Sequence, residues 1–340
     1  MFKATIFYYE WPSTAGNHAG MAYFARRLKE NYPHQVRLIA VPVQISQARY
    51  RVQKLWRMWL VSRLSLGLDP QERFFFTEYL SGRISGDHRA IALEMRRRGM
   101  QNRLIGLVHL PKQSLLSLYG SDYIDEGLEA LDKIIVFGHS LGDYFREIGF
   151  GEKVCETFYY ADTRYYMPAP SPRDGGNNLR VIFMGSLYRN YTLLKQIVLA
   201  CPDIQFEICM GKQSLSDQFG DLPNVNLYPY LPEAKLIAKI HQADANLSIF
   251  DDTVGSNVIV TSLACGLPQV VSDVGSIRDY CTSENAFLCK DPQDYINALT
   301  KLSENPDLRK SMSHAARRQA ERFSLENSIQ WLENLFEQHV

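Results

Sequence analysis

The chain has 340 residues, 46% of them hydrophobic, which suggests two domains, each with its own core. Lys+Arg and Asp+Glu balance at 37 each, so global charge gives no reason to expect a nucleic-acid partner; the mild cationic excess, 22 against 17, lies in residues 1–165. The six cysteines (Cys155, Cys201, Cys209, Cys265, Cys281, Cys289) have no C-x-x-C spacing and sit mostly in apolar runs, as reduced core thiols do.

The opening residues lack a signal-peptide layout and read as a buried strand over Ala4–Tyr9. With no run of 18 apolar residues, no membrane span is expected, and a cytoplasmic location is the expectation. Further strands are expected at Val36–Val41, Phe74–Tyr79, Ile105–His109, Lys133–Phe137 and Lys153–Phe158. The back half adds Leu179–Met184, Ile204–Met210, Val225–Tyr228, Ala245–Phe250, Gln269–Ser272 and Ala286–Leu288. Helical patterns alternate with them at Met21–Asn31, Leu141–Ile148, Leu193–Leu199, Glu233–Gln242 and Val258–Ala264. Such alternation predicts parallel sheets wrapped by helices, an α/β chain of two doubly wound domains. Pro168–Asn178 reads as the linker, giving domains 1–167 and 168–322. The charged helical tail breaks near Phe323-Ser324, so that 323–340 forms a last helix returning to the first domain.

Candidate chemistry follows the strand ends. After the first strand, Gly16 and Gly20 would let backbone approach a diphosphate or a sugar, or would simply make the loop flexible, and His18 lies between them. His109 ends a strand, as a ligand contact or a satisfied structural histidine. The loop 81–87 leads to His88, to which no role attaches. Residues 49–66 mix Arg49, Lys54, Arg57 and Arg63 with Trp56, Trp59 and Leu60: an ordinary helix with its apolar face inward, or a contact for an anionic membrane surface. Gly138-His139-Ser140-Leu141-Gly142 matches a nucleophile elbow, and a serine hydrolase built on Ser140 stands as an alternative, although no Asp-then-His pair follows at strand ends. The richest stretch is 255–280. Gly255, Ser256 and Asn257 cap a helix whose free N–H groups, including that of Val258, suit a phosphate. Gly266-Leu267-Pro268 stops that helix, a strand follows, and Asp273-Val274-Gly275-Ser276 turns into another helix.

Taken in order, Val181–Leu187 with its terminal Gly185, Asn224–Asp244, residues 255–280 and Arg317–Phe323 resemble the nucleotide-sugar domain of GT-B glycosyltransferases, closest to the retaining family 4. Asp132–Pro168 fits the end of that family's first domain, and the first 130 residues match by pattern alone. The resemblance implies two Rossmann-like domains facing across a cleft. A nucleotide-sugar donor would bind the second, and a glycan or lipid-linked acceptor the first. It implies transfer of a hexosyl group with retention of configuration, in synthesis of bacterial surface polysaccharide or glycoconjugates. No metal or other cofactor is expected, since no acidic pair is visibly arranged for a metal. It gives His109 a contact with the donor sugar, and His18 the role of base should the reaction invert. Arg189, with Asn190, is the nearest counterpart of the family's basic pair and is assigned the donor diphosphate; a solvated surface arginine is the alternative. The family's two glutamates, eight positions apart, correspond to Thr253 and Thr261. Thr261 can offer the ribose one hydroxyl but no carboxylate, so a donor-binding partner subunit of little activity is a further alternative.

Overall fold

The computed structural model describes residues 2–43, 47–66, 69–81, 87–170, 178–211 and 213–338. Most of the expected linker (171–177) and most of the 81–87 loop (82–86) lie outside the described residues. The chain divides into two compact units, Met1–Phe158 with Glu326–Val340, and Tyr159–Leu325.

The first unit runs β1 (Ala4–Tyr9), α1 (Met21–Asn31), β2 (Val36–Val41), α2 (Gln47–Ser65), β3 (Arg73–Phe76), α3 (Asp87–Arg97), β4 (Leu104–Val108), α4 (Lys112–Leu118), α5 (Ser121–Glu129), β5 (Lys133–Phe137), α6 (His139–Glu147) and β6 (Val154–Thr157). Its six parallel strands lie in the order β2-β1-β3-β4-β5-β6. β1 and β4 are buried at every position, as strands covered on both faces must be, whereas the edge strand β2 exposes Arg37 and Ala40. β3 is shorter than Phe74–Tyr79 because the chain leaves the ladder after Phe76, and Thr77 and Tyr79 hang from single backbone bonds to Phe7 and Leu107. α3, α4 and α5 have no counterpart among the expected helices. α14 (Leu325–Glu337) supplies Phe336, which packs on Phe2 and Phe75 with ring centroids 5.2 and 6.1 Å away.

The second unit runs β7 (Arg180–Met184), α7 (Tyr191–Ala200), β8 (Gln205–Cys209), α8 (Ser216–Phe219), β9 (Val225–Tyr228), α9 (Glu233–Ile240), β10 (Ala245–Ser248), α10 (Asn257–Ala264), β11 (Gln269–Ser272), α11 (Ile277–Tyr280), β12 (Ala286–Cys289), α12 (Pro292–Glu304) and α13 (Pro306–Arg322). The parallel order is β12-β11-β10-β7-β8-β9, so the direction of winding reverses between β7 and β10. One core of Val181, Phe183, Phe206, Ile208, Leu247 and Val270 is closed by Leu299 and Leu302 of α12. Residues 159–167 belong here rather than with the first unit. The Tyr159 N–H donates to the Tyr280 hydroxyl (2.9 Å), the Ala161 N–H to Phe323 (2.9 Å), and the Leu325 N–H back to Ala161 (2.9 Å). Each of these bonds satisfies a backbone group beyond the reach of any linker argument.

Candidate active site

In an open parallel sheet, ligands bind outside the carboxyl ends of the strands where the winding reverses. In the second unit that point lies between the ends of β7 and β10. Gly185 follows β7 with φ +83°, a conformation that suits glycine. A Cβ there would lie 2.8 Å from Nη2 of Arg189 and 3.3 Å from Cγ2 of Val258, so the turn is held between an arginine and the start of α10. Arg189 bridges to Phe250 just past β10, and its guanidinium lies 4.0 Å from the centroid of the Phe250 ring.

Arg189 is not a solvated surface arginine: only 9% of it is exposed. Nε and Nη2 donate to the Met184 carbonyl (3.1 and 2.9 Å) and Nη1 to Leu187 (3.3 Å). No carboxylate pairs with it among the described residues, and burial draws its guanidinium down to about 10. A cation held in a low-dielectric site without an acid is a standing attraction for an anion. Asn190 has a different place. Its Oδ1 caps α7 by accepting from the Leu193 N–H (2.9 Å), and Nδ2 donates to Asp251 (3.2 Å), so both ends of the amide are engaged.

At α10, Ser256 is the N-cap and accepts from the Val258 N–H at 3.2 Å, so that N–H is not open as the sequence suggested. The N–H groups of Asn257 and Ile259 have no partner among the described residues, nor does the buried Oδ1 of Asn257. Thr261, one turn on along the same face, is 8% exposed. The helix ends as expected: Leu267 N–H bonds back to Ser262 and Gly266 N–H to Leu263, with Gly266 at φ +74°. The two turns of the 255–280 stretch interlock. The Ser276 N–H donates to the Thr253 carbonyl (2.8 Å), and Thr253 Oγ1 accepts from the Gly255 N–H (3.1 Å). α11, expected as a helix, is a single turn of four residues.

In the first unit, Gly16 and Gly20 follow β1 at φ +86° and +81°, and a Cβ on either would meet nothing within 4 Å. The loop is therefore open, with Gly20 as the N-cap of α1. His18 is half-buried, its ring 5.2 Å from that of Tyr23. His109 lies just past β4, half-exposed by surface area yet hemmed in enough that burial pushes its imidazole down to about 4, and its buried Nδ1 has no partner among the described residues. It is thus neutral near pH 7. Gly138 caps α6 at φ +85°, the expected strand–turn–helix, with Ser140 in the first turn of the helix.

A second group escaped the sequence reading. Glu78 lies just beyond β3, beside the point where the first sheet reverses between β1 and β3, and is 9% exposed. Burial pushes its carboxyl up to about 7, against a hydrogen bond from Trp11. Its carbonyl meets Nδ1 of His88 (3.1 Å), a fully buried ring stacked on Tyr9 with centroids 4.1 Å apart, whose imidazole burial lowers to about 3. The available signal was a lone acid closing the apolar run Phe74–Phe76. Because the folded value of Glu78 exceeds the ordinary 4.5, its contribution to stability is complete below about 4.5 and is lost as pH rises through about 7. His88 acts oppositely, its contribution present above about 6.5 and lost as pH falls toward 3. Urea titrations from pH 5 to 8 are expected to show Glu78→Gln gaining on the wild type with rising pH, by at most about 1.4 kcal/mol per unit. Parallel curves would remove Glu78 as the source.

Residues 178–305 match the family described as glycosyl transferases group 1. No curated protein matches by sequence. Among solved structures, sucrose-phosphate synthase from Thermosynechococcus elongatus superposes with a TM-score of 0.77 at 12% identity, over 99% of this chain and 98% of that one. HepE from Anabaena, solved in complex with UDP, gives 0.72 at 14% identity, covering 98% and 99%. A glycosyltransferase from Rickettsia africae gives 0.73 at 10%, covering 99% and 98%. These likenesses establish the fold, and the family match falls on the segment that carries Gly185, Arg189 and α10. The chain therefore has the GT-B fold, and residues 178–305, which lie in the second of its two Rossmann-like units, match the glycosyl transferases group 1.

Proposed function

We propose that the enzyme transfers a hexosyl group from a nucleoside-diphosphate sugar to a hydroxyl of a glycan or lipid-linked acceptor, with retention of configuration. The observation that carries the reading is Arg189: a buried cation with no acid, beside Gly185 and the start of α10, at the reversal point of the second sheet. As the bond from the anomeric carbon to the diphosphate breaks, negative charge grows on the leaving phosphate. Arg189 and the positive end of α10 would receive it. Ser256, Asn257 and Val258 border that end, and Thr261 offers a hydroxyl to the ribose. In the first unit, His109, a neutral imidazole with a spare buried nitrogen, and the backbone of Gly16–Gly20 are the groups we assign to recognition of the sugar. Retention needs no base at His18. The binding of UDP by HepE supports a diphosphate leaving group of this kind.

Thermal-shift measurements against UDP-, GDP-, TDP-, CMP- and ADP-sugars test the reading. The cognate donor at about a hundredfold excess over its Kd is expected to add about 2.7 kcal/mol of stability. Stabilisation by none of them would count against it. Thr261 motivates one other reading, a subunit that binds donor without turning it over. Release of free nucleotide or transfer to acceptor distinguishes the two, and NMR of the product's anomeric proton decides retention.

A further inference from the structure

α2 divides its surface in a way that a core-packed helix does not. Leu60, Val61 and Leu64 are buried, and the buried Gln53 donates to the Pro42 carbonyl at 3.0 Å. The opposite face is apolar as well: Val52 is 66% exposed, Leu55 68%, Trp59 58% and Leu66, just past the helix, 74%. Positions 52, 55, 59 and 66 recur at helical spacing and so form one stripe. Of the two sequence readings of residues 49–66, the ordinary helix with its apolar face inward accounts for Leu60, Val61 and Leu64 and leaves this exposed row unexplained. Exposed leucine and tryptophan in a continuous row mark a contact surface.

Its charge selects the occupant. Residues 47–66 hold Arg49, Arg51, Lys54, Arg57 and Arg63 and not one Asp or Glu. Arg51, Lys54 and Arg63 are exposed, and none has a hydrogen-bond or ion-pair partner among the described residues. A second copy would set cation against cation, which disfavours self-association through this face. An anionic lipid surface accepts both parts, with acyl chains for the apolar row and headgroups for the flanking cations. A tryptophan in such a row suits the boundary between headgroups and acyl chains. No helix of the described residues is long and apolar enough to cross a membrane, so the contact lies along the surface.

We propose that α2 docks the enzyme on an anionic bilayer, its axis in the membrane plane, with Val52, Leu55, Trp59 and Leu66 inserted and Arg51, Lys54 and Arg63 at the headgroups. The lipid-linked acceptor rests on the glycosyl-transfer reading; the docking itself does not, and the two fail separately.

The test is sedimentation of the full chain with vesicles of phosphatidylcholine alone or with about one third phosphatidylglycerol. Binding to the anionic vesicles only, weakening as salt rises, is expected. Each cation removed lowers partitioning by about fivefold at low salt, so Arg51→Gln/Lys54→Gln/Arg63→Gln should lose about a hundredfold. Leu55→Glu/Trp59→Glu should abolish binding. Because both positions are exposed, its melting temperature and any donor-induced shift should match the wild type. Equal binding to both vesicle types, no binding, or binding unaffected by Leu55→Glu/Trp59→Glu overturns the docking. So does a dimer in sedimentation velocity that this double variant dissolves, since the stripe would then be a self-interface. Donor turnover without vesicle binding overturns the docking and leaves the transferase reading standing. Vesicle binding with no response to any nucleotide sugar does the reverse.

Discussion

Arg189→Met is expected to weaken binding of the nucleoside diphosphate by about a hundredfold, roughly 3 kcal/mol, while the ligand-free protein melts no lower than the wild type. The two halves of that expectation have one cause. The guanidinium is 9% exposed, donates only to the carbonyls of Met184 and Leu187, and faces no acid among the described residues. Its charge is therefore held at a cost that hydrogen bonds offset only in part, as its depressed titration indicates. Methionine fills much of the same volume, keeps the contact with the Phe250 ring and removes the charge. Calorimetric titration with UDP, paired with thermal melts of the ligand-free forms, measures both halves. Unchanged UDP affinity would take the diphosphate away from Arg189. A large fall in melting temperature would make the residue a structural one. Arg189→Lys keeps the charge but loses the fork to Met184, and should fall between the two.

Gly275→Ala is expected to cost about 3 kcal/mol or more of folding stability, which lowers the melting temperature by roughly 6 °C or more. At φ +53° any L-residue is strained, by about 1 kcal/mol. The larger part is steric. A Cβ at 275 would overlap the carbonyl oxygen of Thr253 and lie 2.6 Å from Oδ1 of Asp252. That carbonyl already accepts from the Ser276 N–H at 2.8 Å, so relief would break the bond that locks the two turns together. Gly16→Ala is the control. Its φ is +86° but a Cβ there meets nothing within 4 Å, so only the backbone term of about 1 kcal/mol applies. Equal losses in the two variants would show that the interlock contributes nothing.

Several elements could be read to the residue without a structure. Ala4–Tyr9, Val36–Val41, Lys133–Phe137, Val225–Tyr228 and Gln269–Ser272 are strands at the expected bounds, and Met21–Asn31 a helix. In a parallel sheet covered on both faces the strands are short apolar runs, and the punctuation between them is local. α3, α4 and α5 were not legible. α3 places Arg89 on a ring of α5, 3.6 Å from the Tyr123 centroid, and Arg96 on the Ala130 carbonyl at 2.9 Å. The partners of these α3 side chains lie more than thirty residues away, where no local pattern points.

The candidate site divides in the same way. Gly185, Arg189 and the 255–280 stretch were visible in the sequence because turns and caps demand particular residues in particular order. Whether Arg189 is solvated or buried, whether the Val258 N–H is free or taken by Ser256, and that Asn190 caps α7 were decided by neighbours far along the chain. Glu78 and His88 were missed for the same reason: burial, not identity, sets their charge state, and burial belongs to the assembled unit. The sequence by itself determined the alternation of elements and the places where backbone must turn, since these depend on residues a few positions apart. Only the tertiary structure decided which polar groups are desolvated, which are already satisfied, and which apolar face of α2 remains in water. Those are properties of the surfaces that packing covers, and no local pattern carries them.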